Sequence, residues 1–181
     1  MKKVVITGAP GSGKTVITAR LAADHPDRFA LVPEAATQVY TLLNTRWDQL
    51  DLAGRHDAQR RMYRLQLEQE ARAEQEHPRK ILLLDRGTID GAAYWPEGPE
   101  HFWRDVGTTH ARELARYDAV IILETSAALG LYDGDASNAV RFEDAAAAIA
   151  AGEVLRTLWG DHPRVVHVAA QLDLAHKIAA V

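Results

Sequence analysis

The chain of 181 residues carries 47% hydrophobic and 25% charged residues, an average composition for a globular protein that excludes a disordered or fibrous chain. With 25 acidic and 21 basic residues, its formal net charge is −4, so binding to a nucleic acid or to an anionic membrane is not expected. There is no cysteine, which excludes disulfides, thiolate metal sites and a cysteine nucleophile.

The beginning of the sequence bears on its cellular location. The apolar run 4–6 that follows the first residues is too short for the core of a signal peptide or for a membrane span. The length of the chain fits one domain of ordinary size. We therefore expect a single cytoplasmic domain over residues 1–181.

Short apolar runs alternate with longer segments of helical character, which is the pattern of βαβ units around a mostly parallel sheet. The runs 81–84 and 120–123 are apolar throughout, and this predicts central strands that helices cover on both faces. The sequence therefore predicts an α/β fold with five strands. The predicted strands are 3–7, 29–32, 80–84, 119–123 and 164–168.

The segments between the strands are predicted to be helical. In the third of them Ala58, Met62 and Leu65 recur at helical spacing, a stripe that is typical of core packing. We therefore assign that helix no catalytic role. The predicted helices are 14–24, 34–43, 56–76, 109–116, 142–159 and 171–180.

A phosphate-binding loop is the most specific motif. Residues 8–15 read GAPGSGKT and match GxxxxGK[ST] between a β-type run and a helical segment. Glycines let backbone N–H groups converge on phosphate oxygens, and the following helix N-terminus adds partial positive charge. The loop predicts that a nucleoside triphosphate binds, with Lys14 at the β- and γ-phosphates and Thr15 as a Mg²⁺ ligand; a glycine-rich turn without a ligand is the alternative. The predicted nucleotide-binding residues are Gly8, Ala9, Pro10, Gly11, Ser12, Gly13, Lys14 and Thr15.

A carboxylate follows the third predicted strand. Asp85 comes directly after the run 81–84, so it is expected at the carboxyl edge of the sheet, where ligands bind in open α/β folds. In P-loop enzymes an aspartate at this position holds Mg²⁺. A turn or a helix cap is the alternative role for such a residue. We predict that Asp85 and Thr15 hold the metal ion together.

The motifs together resemble known kinase families. Asp85 is followed by Arg86 and Gly87, and this pair resembles thymidylate and deoxynucleoside kinases, in which the arginine lies beside the phosphoryl acceptor. Taken together, residues 8–15, 32–36 and 85–90 also resemble the small AAA-domain P-loop proteins that include the ribosylnicotinamide kinase module. The resemblance implies a three-layer P-loop fold with strand order 2-3-1-4-5. GTPases are expected to show Asp-x-x-Gly at this point and a base-reading Asn-Lys-x-Asp motif later; both are missing from the sequence, which disfavours a Ras-like switch.

The resemblance also indicates an acceptor side. Glu34 stands where deoxynucleoside kinases carry the glutamate that accepts the proton of the attacking hydroxyl; an acidic residue in the first turn of a helix is the alternative. The aromatic stretch 94–104 either lines an acceptor pocket or packs in the core. After the fifth strand, residues 169–171 occupy the place where related kinases contact the nucleotide base.

A lid over the transferring phosphoryl group is implied for residues 126–141. Kinase lids bring arginines onto that group because its charge in the transition state needs cations. Arg141 is the candidate here, although the segment around it is acidic. The resemblance thus implies catalytic roles for Lys14, Glu34, Asp85, Arg86 and Arg141.

Three functions remain open at this point. The leading hypothesis is a kinase that transfers a phosphoryl group from ATP to a nucleoside-like or other small hydroxyl compound. The second is a regulator that binds or hydrolyses ATP without such an acceptor, and the third is an interaction module with a decayed P-loop. The acceptor, the choice between ATP and GTP and the oligomeric state are not specified by the sequence.

Overall fold

The computed structural model describes residues 2–129, 145–171 and 174–181. Its sheet has five strands in the order β2-β3-β1-β4-β5, and all four neighbouring pairs are parallel. This confirms the α/β class, the strand order and the positions of the five predicted strands. The strands are β1 (Lys2–Gly8), β2 (Phe29–Val32), β3 (Ile81–Asp85), β4 (Ala119–Leu123) and β5 (Val165–Val168).

Helices connect the strands and cover both faces of the sheet. The described helices are α1 (Lys14–Asp24), α2 (Ala35–Leu43), α3 (Leu52–Glu76), α4 (Asp90–Ala93), α5 (Pro99–Val106), α6 (His110–Leu114), α7 (Ala145–Gly160) and α8 (Leu174–Ala179), with 3₁₀ turns at Trp47–Gln49 and Ser126–Leu129. Within the described ranges, no helix combines the length and the apolar character needed to cross a membrane.

Two differences from the predicted helices have local causes. The third helix begins at Leu52 rather than at residue 56, because the Asp51 side chain caps it by accepting a hydrogen bond from the Gly54 N–H at 2.8 Å. The short helices α4 and α5 were not predicted. A Gly98-Pro99 pair marks the start of α5, with proline in the first turn where its missing N–H costs nothing.

The sheet is buried on both faces. Val5 and Ile6 are neighbours on β1, yet they belong to separate apolar clusters, because successive residues of a strand point to opposite faces. The cluster around Val5 includes Trp159 of α7, and the cluster around Ile6 includes Ile17 of α1. Helices on both sides therefore complete the three layers expected for a parallel sheet.

The aromatic stretch serves both roles that its sequence left open. Trp95, Phe102 and Trp103 are buried in the cluster around Val5, so they pack in the core. Tyr94 instead borders a cavity beside Arg86, whose guanidinium carbon lies 5.6 Å from the centre of the Tyr94 ring. Most of the stretch is therefore structural, and one ring faces the candidate site.

The pairing register of the strands places the residues that follow each strand close together. Val32 of β2 pairs with Leu84 of β3, and Ile6 of β1 pairs with Asp85. In a parallel sheet all carboxyl ends meet at one edge. The segments that follow β1, β2 and β3 therefore lie side by side, although these strands end far apart in the sequence, at residues 8, 32 and 85.

Candidate functional site

The loop between β1 and α1 requires glycine at both of its ends. Gly8 has a φ angle of 151°, and a Cβ atom there would lie 2.3 Å from the Leu123 carbonyl oxygen. Gly13 has a φ angle of 82° and is the N-cap of α1. These positions let the chain pass close to β4 and then turn directly into the helix. The backbone thus adopts the shape that a phosphate-binding loop needs.

Contacts from the segment after β4 hold this loop from one side. The Thr125 hydroxyl donates to the Pro10 carbonyl at 2.7 Å, and the Ser126 hydroxyl donates to the Gly11 carbonyl at 3.1 Å. A loop whose carbonyls are engaged from outside can present its N–H groups to an anion on its concave side. The hydroxyl oxygen of Ser12 is buried and has no hydrogen-bond partner within the described residues. These features fit a cradle for phosphate.

Lys14 and Asp85 lie at the base of the loop. Lys14 and Asp85 are each only 2% exposed. Burial raises the pKa of Asp85 and the Glu34 carboxylate acts in the same direction, whereas the Lys14 charge and a hydrogen bond with Thr15 lower it. The structure therefore brings together Lys14, Thr15 and Asp85, which the sequence placed in one site.

The oxygens of Asp85 and Thr15 fit a magnesium ion. Asp85 Oδ1 is buried and lacks a hydrogen-bond partner within the described residues, and Mg²⁺ prefers oxygen ligands of this kind. Within the same ranges, no group of three histidine, aspartate or glutamate residues could hold a metal. Mg²⁺ in P-loop proteins needs no such group, because phosphate oxygens and water supply most of its ligands.

The raised pKa of Asp85 predicts a stability effect in the protein without ligand. A carboxyl whose pKa rises on folding stabilises the fold fully below its unfolded pKa, and this contribution is lost as the pH rises through the folded value. We expect Asp85→Asn to raise the free energy of unfolding at pH 7 by about 1 kcal/mol. For a chain of this size the melting temperature would rise by about 2–4 °C.

Thermal unfolding from about pH 3 to pH 7 measures this effect, because the loss of stability begins near the ordinary aspartate pKa of about 3.9. The variant should lose less stability than the wild type as the pH rises. Asp27→Asn is the matched control, because Asp27 is exposed in the turn between α1 and β2. An Asp85→Asn protein that melts at or below the wild-type temperature, with the same dependence on pH, would contradict the prediction.

Glu34 and Arg86 form a buried ion pair next to this site. Arg86 Nε donates to Glu34 Oε1 at 2.7 Å, and the Thr37 hydroxyl donates to Glu34 Oε2 at 2.8 Å. Glu34 is the N-cap residue of α2, yet its side chain makes no capping hydrogen bond. Burial lowers the pKa of the Arg86 guanidinium, but Tyr94, Glu34 and Asp90 together raise it well above its usual value. Glu34 is therefore held by the Arg86 cation and by the Thr37 hydroxyl rather than by a backbone N–H of the helix end.

Asp90 joins the same network, although no role was predicted for it from the sequence. Asp90 Oδ2 accepts hydrogen bonds from the Thr7 hydroxyl at 2.6 Å and from Arg86 Nη1 at 2.8 Å, and Oδ1 accepts from Trp159 Nε1 at 2.8 Å. Arg86 itself has a φ angle of 77°, a strained value for a residue with a side chain. Asp90 therefore ties the strained turn after β3 to β1 and to α7. Its position five residues after Asp85 was the only signal in the sequence.

A cavity opens from the phosphate loop toward α3. It is bordered by Pro10 of the loop, Glu34, Arg86 and Asp90, and by one face of α3. The stripe of Ala58 and Met62 does pack against α2, as predicted. The expectation that α3 serves packing alone is incomplete, since this helix also supplies one wall of the cavity. Its residues in that wall are Gln59, Met62, Tyr63 and Gln66.

A second cavity, of about 490 Å³, lies on the other side of the phosphate loop. It is bordered by Gly8, by Thr125, by α7 through Gly152 and Arg156, and by Ala169 after β5. The segment 169–171 was singled out from the sequence as a contact for a nucleotide base. The structure places its first residue against this cavity, and therefore on the same edge of the sheet as the phosphate loop.

The predicted lid lies largely beyond the described residues. Arg141 and residues 130–144 belong to that part of the chain, so the structure does not place Arg141. Arg116, another arginine near β4, donates to the buried Glu70 at 2.8 Å. Glu70 also accepts from Lys3 at the opposite end of β1, so Arg116 stabilises a structural network away from the site.

Comparisons with known proteins agree with this geometry. A protein-family model described as an AAA domain matches residues 3–177. No curated protein matches the sequence. Among solved structures, the NadR protein in complex with NAD and AMP-PNP has a TM-score of 0.67 and 20% identity over 99% of this chain. The present chain spans only 48% of that protein, about half of its length.

Two kinases are similar over nearly their whole length. Deoxyadenosine kinase from M. mycoides with bound dATP has a TM-score of 0.67 and 15% identity, covering 98% of this chain and 95% of that one. Thymidylate kinase from Ehrlichia chaffeensis has a TM-score of 0.61 and 16% identity, covering 95% and 88%. At these identities the likeness shows a shared fold, namely that of P-loop kinases.

Proposed function

This chain belongs to the AAA-domain family, and we propose that it is a kinase that transfers the γ-phosphoryl group of ATP to a hydroxyl of a nucleoside-like acceptor. The observation that carries the proposal is the cavity between the phosphate loop and α3. Pro10 of the loop borders that cavity together with Glu34 and Arg86, so an acceptor bound there would meet the terminal phosphate. Bringing the two reactants together accounts for much of the catalysis of phosphoryl transfer.

Glu34 is the proposed general base. Its carboxylate is 7% exposed and is held from two sides by Arg86 and Thr37, so its position is fixed while it borders the cavity. A base in this reaction chiefly orients the attacking hydroxyl and accepts its proton. Lys14 is proposed to bind the β- and γ-phosphates. Thr15 and Asp85 would hold Mg²⁺, which supplies charge neutralisation on the phosphate oxygens.

The charges of the cavity favour an acceptor without a phosphate group. Among the described residues that border it, Arg86 is the one cation, and its guanidinium is paired with both Glu34 and Asp90. Asp48 adds a further carboxylate to the wall. An acceptor phosphate would meet more negative than positive charge there, and anions need cationic partners when they lose water. We therefore propose a nucleoside rather than a nucleotide as the acceptor.

The nucleotide itself is proposed to extend toward the second cavity. This cavity adjoins Gly8 of the phosphate loop, and it lies on the side of the loop away from Glu34. A triphosphate in the loop would thus have its base and sugar on one side and its transferred group on the other. In the solved relatives, dATP is bound to the deoxyadenosine kinase and AMP-PNP to NadR, which supports a nucleoside triphosphate as the ligand.

Product analysis with γ-labelled ATP tests the proposal. The purified protein is incubated with Mg²⁺–ATP and, separately, with adenosine, cytidine, uridine, their monophosphates, and ribose. We expect label to appear on at least one nucleoside and on none of the monophosphates. Release of free phosphate at the same rate with and without acceptors would instead identify an ATP-hydrolysing regulator. Labelling of a monophosphate would overturn the choice of a nucleoside.

A further inference from the structure

The turn after β3 holds Arg86 in a conformation that needs support from outside. The φ angle of Arg86 is 77°, a sparsely populated value for a residue with a side chain, and such a backbone persists only where its surroundings fix it. Two carboxylates orient the guanidinium, with Nε 2.7 Å from Glu34 Oε1 and Nη1 2.8 Å from Asp90 Oδ2. The groups that hold these carboxylates therefore also set how Arg86 faces the cavity between α3 and the phosphate loop.

Asp90 is held by two donors that lie outside the turn. Trp159 Nε1 of α7 donates to Asp90 Oδ1 at 2.8 Å, and the Thr7 hydroxyl of β1 donates to Asp90 Oδ2 at 2.6 Å. Trp159 and Thr7 are fully buried, and Asp90 is 3% exposed. A hydrogen bond to a charged group is stronger than a neutral one, and the loss of either bond leaves a buried carboxylate with fewer partners. The two donors thus fix the Asp90 carboxylate from two different elements of the fold.

The Trp159 ring reaches the same turn through a second contact. Gly87, next to Arg86, lies so close to the ring that a Cβ atom there would stand 2.9 Å from both Trp159 Cη2 and Cζ2. The ring also contacts Tyr117, with 5.4 Å between the ring centres, and the Tyr117 hydroxyl accepts a hydrogen bond from the Thr88 N–H at 2.8 Å. Trp159 therefore supports the turn with its ring as well as with its N–H group.

Two buried tryptophans of the same core allow packing and hydrogen bonding to be separated. Trp159 and Trp103 both belong to the apolar cluster around Val5. Trp103 is 4% exposed and stacks on His110 of α6, with 5.5 Å between the ring centres. A buried indole N–H needs an acceptor, and the acceptor of Trp159 is a carboxylate that binds the arginine of the site. The N–H group of Trp159 is therefore tied to the site in a way that core packing alone does not require.

We propose that Trp159 and Thr7 are positioning residues, which hold the Asp90 carboxylate so that Arg86 is directed at the bound acceptor. The inference rests on the proposed function for its identification of the cavity as the acceptor site. It assigns part of the catalytic geometry to two fully buried side chains that act through Asp90. Because a small displacement of a positioned group can lower turnover strongly, the two hydrogen bonds should matter for transfer rather than for ATP binding.

Steady-state kinetics of Trp159→Phe and Thr7→Val measure the effect on transfer. Phenylalanine keeps a ring against Gly87 but has no N–H group, and valine keeps the shape of threonine but has no hydroxyl. Each variant should lower kcat/KM for the nucleoside about 10-fold, the scale of one hydrogen bond to a charged group. The KM for ATP should stay within about 2-fold of the wild type, since neither change removes a proposed phosphate ligand.

Trp103→Phe is the matched control for lost packing. This change at a buried tryptophan of the same cluster should also lower the melting temperature, but it should leave kcat/KM close to the wild-type value. Thr7→Ser retains the hydroxyl and should likewise stay close to the wild type. Melting curves establish that each variant is folded. If Trp103→Phe lowered kcat/KM as much as Trp159→Phe, lost packing would explain both results and the positioning role would be overturned.

The double variant shows whether both residues act through Asp90. Independent effects would multiply to about 100-fold, whereas two changes that release the same carboxylate should together cost little more than either one alone. A loss of kcat/KM below about 30-fold supports the shared route through Asp90, and a larger loss overturns it.

Nuclear magnetic resonance provides a measurement that needs no acceptor. The Arg86 Nε–H group is bound to Glu34, so it should exchange slowly with water in the wild type, and its signal is identified by its absence from Arg86→Lys. In Trp159→Phe and Thr7→Val this exchange should become about 10-fold faster, because Asp90 no longer fixes the guanidinium.

The possible outcomes separate this inference from the proposed function. Unchanged exchange or wild-type kcat/KM in both folded variants overturns the positioning role, even if the wild type is a kinase. Faster exchange in the variants of a wild type that transfers phosphate to no acceptor supports the positioning of Arg86 and overturns the kinase.

Discussion

Lys14→Ala is expected to lower kcat/KM for ATP by about 100-fold or more, the loss seen when one preorganised charge or donor is removed from a transition state. The Lys14 ammonium is 2% exposed and acts electrostatically on Asp85 in the same site. Charges in such a water-poor place interact more strongly than they do in bulk water. Without the ammonium, the β- and γ-phosphates would retain the loop amides and Mg²⁺ but lose the cation between them.

Binding of Mg²⁺–ATP separates this effect from unfolding. At a ligand concentration 100 times the Kd, a bound ligand adds about 2.7 kcal/mol to the stability of a protein, which melting curves detect readily. The wild type should show this increase and Lys14→Ala should show little of it. Lys2→Ala serves as the control, because Lys2 is exposed at the opposite end of β1. If folded Lys14→Ala bound ATP as tightly as the wild type, the assignment of the phosphate site would be wrong.

The features of the site that the sequence predicted are local ones. The loop of residues 8–15 is a continuous motif with its own strand and helix context, so its shape follows from neighbouring residues. Asp85 was predicted for the same reason, because it ends a strand whose other residues are all apolar. Local patterns of this kind also predicted four of the helix starts and ends that the structure shows, namely residues 14, 24, 43 and 76.

The contacts that join distant segments could not be derived in that way. Glu34 and Arg86 are 52 residues apart, and they meet because Val32 pairs with Leu84, which leaves each of them two residues beyond a paired position. The family resemblance suggested that both belong to the site but did not predict their ion pair. The contacts of Asp90 were even harder to predict, because its partners come from two further elements, β1 and α7.

The place of Gln59 in the wall of the cavity was not predicted, for a different reason. It lies in a densely charged helix, and the sequence there gives a glutamine the character of an exposed surface residue. Its burial depends on how α4 packs against α3, and α4 is a four-residue helix that periodicity cannot detect. Side chains whose surroundings come from short, irregular segments therefore require the structure, even where the fold itself can be predicted.

Glu34→Gln is expected to lower kcat by about 100-fold or more with little change in ATP affinity, because a general base contributes that much to proton transfer. Glutamine keeps the size and the oxygen that Arg86 Nε contacts at 2.7 Å in the wild type, but it cannot accept the proton of the attacking hydroxyl. Arg86 also remains paired with Asp90, so the turn after β3 should stay in place. Steady-state kinetics with the best nucleoside and calorimetry with an ATP analogue provide the two measurements.

Which of the measured quantities change shows whether Glu34 acts as a general base or only holds Arg86 in place. If Glu34 acts on the acceptor, kcat falls while the Kd of the ATP analogue and the melting temperature stay close to the wild-type values. If Glu34 serves only to hold Arg86, the melting temperature falls and kcat declines only modestly, since the guanidinium would lose one of its two carboxylates. Glu76→Gln, an exposed change at the end of α3, should leave all three quantities unaltered. Wild-type turnover by folded Glu34→Gln would remove the carboxylate from the mechanism, because a transfer that proceeds without it needs no base at that position.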